Sequence, residues 1–423
     1  MVRVVVPCTE AEAAAVKPLV VRAYSEARAR QWPFLSDVLD GVLRGAAEED
    51  RAVAAGAVQA MVKYDRLLAF AAGSETPEAR YDALFALASG QTDVGPRIDR
   101  VEKATERLGL AYSLPDWIVD LVRSEVGEAA LEAMLARVNE VPPRVARVNT
   151  LRTTRDACIA ALEKEGVQAA PAQHAAGSIV LGGRRSPFRT QAFARGDFEM
   201  QDEASQLVAE LVAPAPRSFV VDACAGAGGK TLALAALLAG KGKLLALDSS
   251  ETKLEELRRR ARRAGASNVQ ARAVDLRDGS AVAKLDQGAS RVLVDAPCTG
   301  MGALRRNPEA RWRLRESDLS RLVATQAALL SAAATLVGPH GRLVFATCSF
   351  LPSEGEVAVE FFLSGHPDFT LVTARDVLGR ARSEPVASRD GKYLRTWRFD
   401  GHADGGDEGM DGFFAAVLRR ARA

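Results

Sequence analysis

From about Ser218 onward, short continuous apolar runs alternate with longer segments in which apolar residues recur every three or four positions. The runs begin at Phe219, Leu244, Val292 and Leu343, and an aspartate follows each of the first three. A continuous apolar run predicts a strand buried on both faces, and the segments between the runs predict helices. We therefore expect residues 216–423 to form a Rossmann-like α/β domain with a mostly parallel, doubly wound sheet, closed by a final strand in D-G-F-F-A-A-V-L-R-R.

Two regions with other patterns precede this domain. Residues 1–110 are rich in Ala, Glu, Arg and Leu, and the spacing of their apolar residues predicts amphipathic helices, as at Leu35, Val38, Leu39, Val42 and Leu43. Residues 111–215 combine a helix, an extended segment around R-V-A-R-V, a second helix and the strand S-I-V-L, which predicts a small α/β subdomain. Three arginines of this subdomain suit an RNA-contacting surface: Arg144, Arg147 and Arg152. On periodicity alone, an ordinary α/β unit without a role in RNA binding is expected equally.

Composition narrows the class of protein without naming a ligand. The 423 residues are 48% hydrophobic and carry a net charge of +2, so a large core is expected and the total charge indicates no polyanionic partner. The five cysteines and four histidines are dispersed, which predicts neither disulfides nor a metal site. No apolar run is long enough for a membrane span, and the N-terminus lacks a secretory pattern. We expect a cytoplasmic monomer that does not bind membranes.

The loop D-A-C-A-G-A-G-G-K-T follows the first strand of the α/β domain and opens a helix. A P-loop would require glycine at Cys224, and a dinucleotide loop read from Gly226 would require glycine at Thr231. S-adenosylmethionine sites accept looser glycine patterns and need an acid after the second strand for the ribose hydroxyls. Asp248 fits that role. Asp275 ends a further predicted strand, V-Q-A-R-A-V-D, which follows the second one along the chain, and it could bond the adenine. Because Asp222 also ends a strand, helix capping alone does not explain these acids.

Two cysteines follow the last two of these strands, in D-A-P-C-T-G-M-G and A-T-C-S. A thiolate that adds to carbon 6 of cytosine makes carbon 5 nucleophilic enough to attack a methyl sulfonium, and elimination then frees the thiol. Cys298 and Cys348 are candidates for this chemistry, and by symmetry either could attack. Asp295 is placed to contact the amino edge of the base.

Two arginine-rich segments have different expected roles. The first follows Cys298 and suits phosphate contacts and base stacking through Arg305, Arg306, Arg311 and Trp312. The second shares a predicted helix with three glutamates, which predicts a solvated, charge-paired face; it contains Arg258, Arg259, Arg260, Arg262 and Arg263.

These motifs together resemble the RsmB/Sun (Fmu)-type ribosomal RNA cytosine-5 methyltransferases. The resemblance rests on D-A-C-A-G-A-G-G-K, L-D-S-S, D-A-P-C-T-G-M-G-A-L-R-R-N-P-E-A-R-W, A-T-C-S and D-G-F-F. It implies that the helical region is a divergent NusB-like domain and that RNA is the substrate, with 16S rRNA as the expected target.

The resemblance also implies residue roles. Cys348 would be the nucleophile, and Cys298 would assist release of the methylated product. S-adenosylmethionine would contact Asp248, Asp275, Asp295 and the glycine loop, which consists of Cys224, Ala225, Gly226, Ala227, Gly228, Gly229 and Lys230. Two other functions stay open on the residues alone: a P-loop-like NTPase, and a NusB-like RNA-binding or assembly factor without catalytic activity.

Overall fold

The structure is a computed structural model that describes residues 4–399 and 409–421. The loop expected before the final strand lies mostly outside these ranges. No helix within them is both long and apolar enough to cross a membrane.

The helices are α1 Glu10–Ala29, α2 Leu35–Val42, α3 Glu48–Lys63, α4 Asp65–Ala72, α5 Pro77–Ala88, α6 Gly95–Ile98, α7 Ala104–Ala111, α8 Asp116–Val126, α9 Glu128–Arg137, α10 Arg155–Lys164, α11 Gln191–Arg195, α12 Glu203–Val212, α13 Gly229–Leu237, α14 Glu251–Ala264, α15 Gly279–Val282, α16 Ala310–Arg313, α17 Ser317–Ala334, α18 Glu356–Gly365, α19 Ala374–Leu378 and α20 Arg380–Ser383. The strands are β1 Arg144–Val148, β2 Ala169–Pro171, β3 Ser178–Leu181, β4 Phe198–Met200, β5 Phe219–Asp222, β6 Lys243–Asp248, β7 Val269–Ala273, β8 Ala289–Asp295, β9 Val337–Thr347, β10 Phe369–Val372, β11 Leu394–Arg395 and β12 Phe414–Arg420.

The chain divides into two compact units, and the first is helical. It is built mainly from the residues up to Val141 together with Ala303–Asp318. The expected amphipathic face is present in α2, where Leu35, Val38 and Val42 are buried. Helices α8 and α9 belong to this unit, so the compact helical part extends past the boundary expected at residue 110. It also takes in Ala303–Asp318, which we had expected in the α/β domain.

The second unit contains two sheets. The smaller one has the order β2-β3-β1-β4 with antiparallel pairs, and its core includes Val148, Leu162, Ile179 and Phe198. It corresponds to the small α/β subdomain expected before residue 215.

The larger sheet has eight strands, with the order β10-β12-β9-β8-β5-β6-β7 and β11 paired to β12. The strands from β9 to β7 run parallel, whereas β12 is antiparallel to β9. Separate clusters of buried apolar residues include alternate residues of β5, so both faces are covered. The mostly parallel, doubly wound fold is confirmed. From β5 the chain adds β6 and β7 on one side and then β8 and β9 on the other side. Ligands of such sheets bind at the carboxyl ends of the strands where the strand order changes side, which here is between β5 and β8.

Candidate active site

The two cysteines meet at the carboxyl ends of neighbouring parallel strands. Asp295, the last residue of β8, pairs in register with Ala346 of β9. Cys298 follows the first strand and Cys348 the second, and their Sγ atoms lie 3.4 Å apart. Both side chains are half-buried. The structure therefore brings together the two thiols that we had placed in one site.

A buried carboxylate holds the loop that carries Cys298. Glu354 accepts hydrogen bonds from the backbone N–H of Thr299 at 2.9 Å and from Nε2 of Gln326 at 3.1 Å. Gln326 also donates to the carbonyl of Pro297 at 3.0 Å, on the other side of the cysteine. We had not predicted Glu354 or Gln326 to take part in the site. An isolated glutamate after a strand and a glutamine within a helix carry no local signal, because their role depends on distant partners.

The two thiols are in direct contact, and either sulfur can be the hydrogen-bond donor. The contact with Cys348, together with burial, raises the pKa of the Cys298 thiol well above its usual range. The nucleophilic form of cysteine is the thiolate, and this geometry is compatible with attack by either sulfur.

Asp295 reaches the same site and is fixed by a lysine from the glycine loop. Lys230 Nζ lies 2.7 Å from Oδ2 of Asp295 and 4.9 Å from the ring centre of Phe413. The lysine side chain is almost fully buried, whereas the aspartate remains partly exposed. The second carboxylate oxygen of Asp295 can therefore accept a hydrogen bond from a ligand.

The glycine loop and Asp248 form one hydrogen-bonded element. The N–H of Gly226 donates to Asp248 Oδ2, and the N–H of Ser250 donates to Oδ1, both at 2.9 Å. Gly226 has a φ of +52°, and a Cβ at this position would have no neighbour within 4 Å. The backbone therefore faces open space beside a half-buried carboxylate, which fits a ligand that brings ribose hydroxyls to Asp248.

Two other residues predicted to contact the cofactor, Asp275 and Cys224, differ in burial and charge. Asp275 follows Val274, whose N–H donates to the carbonyl of Asp248 at 2.9 Å, and its own hydrogen bonds with Arg277 lower the pKa of its carboxyl. Burial raises the pKa of the thiol of Cys224, the first residue of the glycine loop, and this favours the neutral thiol there.

The lysine and threonine of G-K-T are not arranged as in a P-loop. Lys230 is directed to Asp295, and the Thr231 hydroxyl donates to Oδ2 of the fully buried Asp222 at 2.7 Å. In a P-loop these two side chains would serve phosphates and Mg²⁺. The described residues contain no cluster of His, Cys, Asp or Glu able to hold a metal ion.

Most side chains expected to contact RNA have partners within the protein. Arg147 is buried and donates through Nε to Gln201 at 2.7 Å, and Arg144 donates to the carbonyl of Gly182 at 2.6 Å. Of the three arginines predicted in this subdomain, Arg152 is the exposed one. Arg147 therefore does not present its guanidinium to RNA.

The segment after Cys298 departs further from our expectation. Arg305 and Arg311 are buried in the helical unit, and Trp312 donates to the carbonyl of Val62 at 2.7 Å. Arg311 donates to Asn139 Oδ1 and to three backbone carbonyls. The prediction of RNA contacts by Arg305, Arg311 and Trp312 is corrected, because their polar groups satisfy protein acceptors. Arg306 remains partly exposed.

The arginine run on α14 is only partly the paired outer face that we expected. Arg258 and Arg259 pair with Glu251 and Glu256. Arg260 and Arg263 turn inward instead and share Glu199, a buried residue of β4.

Two models of known protein families match parts of this chain. Residues 209–419 match the model described as 16S rRNA methyltransferase RsmB/F. Residues 114–186 match the model of the ferredoxin-like domain of RsmF/B-like methyltransferases.

Individual relatives agree with these matches. The chain is 32% identical over 326 residues to the probable ribosomal RNA small subunit methyltransferase B of Bacillus subtilis, covering 77% of this chain and 70% of that protein. It is 30% identical over 320 residues to the ribosomal RNA small subunit methyltransferase B of Vibrio cholerae, covering 75% and 68% of the two chains. A solved structure of a methyltransferase homologue from Pyrococcus horikoshii superposes with a TM-score of 0.62 at 24% identity, covering 76% of this chain and all of that one.

Proposed function

The chain belongs to the RsmB/F family of 16S rRNA methyltransferases, and we propose that it methylates carbon 5 of a cytidine in small-subunit ribosomal RNA through a covalent adduct with Cys348. S-adenosylmethionine, whose expected role as cofactor is confirmed, supplies an electrophilic methyl group when bound. The observation that carries the proposal is the approach of two thiols to 3.4 Å at neighbouring strand ends. Methylation of an exocyclic amino group or of a ribose hydroxyl would not require a pair of cysteines.

The division of roles between the thiols follows from the family resemblance. Attack on carbon 6 of the cytosine requires a thiolate, and we assign this attack to Cys348, which follows β9. After methyl transfer, the carbon-5 proton leaves to a base and the sulfur–carbon bond breaks. Cys298 lies beside the departing sulfur and is placed to assist this step.

Asp295 is the candidate for holding the base. Lys230 binds one of its oxygens and fixes the side chain, which leaves the other oxygen of this partly exposed residue for a ligand. A carboxylate accepts hydrogen bonds and does not donate them, which suits the exocyclic amino group of cytosine. Uracil presents a carbonyl at the same place, and we expect it to be rejected because two acceptors would then face each other.

The proposed contacts with S-adenosylmethionine follow the same residues. The loop from Cys224 to Lys230 would lie along the cofactor, Asp248 would accept bonds from the ribose hydroxyls, and Asp275 would lie near the adenine. The carbonyl of Ala227 accepts a hydrogen bond from Arg260 at 2.8 Å, which fixes the loop in place.

A tritium-release assay tests the position of methylation. Small-subunit rRNA carrying cytidine with tritium at carbon 5 is incubated with the protein and S-adenosylmethionine. We expect one tritium released for each methyl group transferred, because carbon 5 exchanges its hydrogen for the methyl group. RNA labelled at carbon 6 is the control and should retain its label. Methyl transfer without release from carbon 5 would refute the proposal, and RNA binding without any transfer would favour a non-catalytic factor.

A further inference from the structure

A cleft rich in arginine lies outside the active site, between the small sheet and helix α14. It has a volume of about 660 Å³, is open to solvent, and is lined by Arg152, Arg195, Asp197, Arg262 and Arg263 among others. We call it the arginine cleft. Arg152 precedes α10, Arg195 ends α11, and the remaining two arginines lie at the carboxyl end of α14.

Hydrogen bonds hold the walls of the cleft together. Asn149, which is buried, donates through Nδ2 to the carbonyls of Gly196 and Ala264, both at 2.8 Å. Gly265, at the end of α14, would place a Cβ within 3.0 Å of the Arg152 guanidinium, so the lack of a side chain there leaves room for that arginine. The arginines are therefore brought together by fixed elements of the fold.

The charges in the cleft are not balanced. Its lining includes four arginines and one carboxylate, that of Asp197, which Arg195 binds through two donors at 3.0 and 2.6 Å. Within residues 4–399 and 409–421, Arg262 forms no ion pair and is exposed. Among the same residues, the guanidinium of Arg152 donates one hydrogen bond, to the carbonyl of Arg263 at 3.3 Å. Since a guanidinium has five N–H groups, the exposed arginines keep donors for a ligand.

The helix dipole of α14 offsets only part of the positive charge in the cleft. The carboxyl end of α14 carries roughly half a negative charge, and cations near it are stabilised. Asp197 pairs with Arg195 and Glu199 pairs with Arg263, so the positive charges of Arg152 and Arg262 remain, and they still exceed the charge of the helix end severalfold. A polyanion is the ligand that such a surplus favours, and an open cleft admits a chain more readily than it encloses a small molecule.

Two phenylalanine side chains, Phe193 and Phe188, lie next to an arginine of the cleft. The guanidinium of Arg263 lies 4.0 Å from the ring centre of Phe193, and Phe188 meets that ring edge to face at 5.1 Å. Phe188 is 56% exposed. An exposed aromatic ring beside arginines is the combination on which unpaired bases stack while the backbone is held by charge.

The cleft is also linked to the loop proposed to bind the cofactor. Glu199 binds Arg263 of the cleft and Arg260, one helical turn earlier on α14. Arg260 in turn donates to the carbonyl of Ala227 in the glycine loop at 2.8 Å. A ligand in the arginine cleft would thus lie close to that loop without occupying the pair of thiols.

We propose that the arginine cleft binds the backbone of a single-stranded RNA segment, with Phe188 stacking on one of its bases. The inference rests on RNA as the substrate in the proposed function and adds a second site on the enzyme that holds the strand. Arg152 and Arg262 contact phosphates, and Arg263 with Phe193 supports the stacking ring.

Binding of a fluorescein-labelled oligouridine of 12 nucleotides tests this site without any cytosine. The double substitution Arg152→Ala/Arg262→Ala removes two phosphate contacts, so the slope of log affinity against log salt should become shallower by about 1.4. Phe188→Ala should weaken binding by roughly 5- to 150-fold, the range measured for loss of one stacking contact. Fluorescence anisotropy at several salt concentrations measures both effects.

Two matched variants serve as controls. Arg259→Ala removes an exposed arginine of α14 that pairs with Glu256, and Phe361→Ala removes an exposed phenylalanine of α18. Both should bind the oligouridine within about twofold of the parent protein, as expected for neutral surface changes. Equal losses in the cleft and control variants, an unchanged salt slope in the double variant, or no binding of the oligouridine by the parent would overturn the proposal.

The test separates this site from the proposed chemistry. Cys348→Ala should bind the oligouridine like the parent protein, because its thiol lies outside the cleft. If methyl transfer to cytosine fails while the cleft variants still lose affinity, the proposed function is refuted and the cleft stands. If transfer occurs and the cleft variants bind normally, the cleft is refuted and the function stands.

Discussion

Asp222 differs from the other strand-end aspartates because it is fully buried. Its Oδ2 accepts from the Thr231 hydroxyl at 2.7 Å, and Oδ1 is buried without a hydrogen-bond partner in the structure. Burial raises the pKa of this carboxyl from 3.8 to about 7. In the folded state the residue therefore favours its protonated form below about pH 7.

We expect Asp222→Asn to change how stability depends on pH. Between about pH 4 and pH 7 the folded parent binds this proton more tightly than the unfolded chain, so its stability falls as pH rises. The loss approaches ~1.4 kcal/mol per pH unit for one group. The asparagine variant lacks this slope, and urea unfolding of both proteins from pH 3.5 to 8 measures the difference. A difference in stability that is constant with pH would show that Asp222 does not titrate in this range.

At the scale of elements, Ala303–Asp318 was the hardest segment to interpret from sequence. Its arginines and tryptophan suggested an RNA surface, and the structure buries several of them in the helical unit. Burial lowers the pKa of Arg311 to about 10, and its N–H groups bind carbonyls from three parts of that unit. Local sequence cannot distinguish an arginine that binds phosphate from one that binds carbonyls, because the distinction lies in the tertiary partners.

Arg311→Met should therefore destabilise the helical unit. The substitution retains an apolar stem but leaves several buried acceptors unsatisfied, which costs ~3 kcal/mol or more. Arg315→Ala, four residues away at an exposed position, is the matched control and should change stability by less than about 0.5 kcal/mol. Thermal unfolding of both variants measures this. Equal, small effects would mean that Arg311 does not hold the segment in place.

The strands were the most predictable elements. A strand covered on both faces appears in the sequence as a continuous apolar run, and this pattern can be recognised within the strand itself. It is present in β5, β6, β8 and β9. The extent of the helical unit was less predictable, because α8 and α9 lie beyond the change in composition that we used as a boundary.

At the scale of the whole molecule, the order of the strands creates the site. β8 lies between β5 and β9, which places Asp295 near Lys230 and Cys298 near Cys348. The sequence indicated which strand ends carry chemistry, and it did not indicate which strands are neighbours. The buried network of Glu354 and Gln326 depends on that order and could not be predicted for the same reason.

Cofactor binding should stabilise the unit that contains the large sheet. At a concentration 100 times its Kd, S-adenosylmethionine should add about 2.7 kcal/mol to the free energy of unfolding, because it binds only the folded state. Asp248→Ala should lose most of this gain, whereas Asp286→Ala, an exposed aspartate paired with Lys243, should keep it. Thermal unfolding with and without the cofactor measures the gain. Equal stabilisation of both variants would remove Asp248 from the cofactor site, and stabilisation by Mg-ATP alone would favour an NTPase.

Trapping of a covalent complex separates the two roles proposed for the thiols, attack on the cytosine by Cys348 and assistance in its release by Cys298. Labelled small-subunit rRNA and S-adenosylmethionine are incubated with the parent protein, Cys298→Ala, Cys348→Ala and the control Cys158→Ala, which removes a buried thiol elsewhere. We predict that Cys298→Ala accumulates a complex of protein and RNA that survives denaturing electrophoresis, that Cys348→Ala forms none and transfers no methyl group, and that Cys158→Ala behaves like the parent. A stable complex or full methylation with Cys348→Ala would contradict this account.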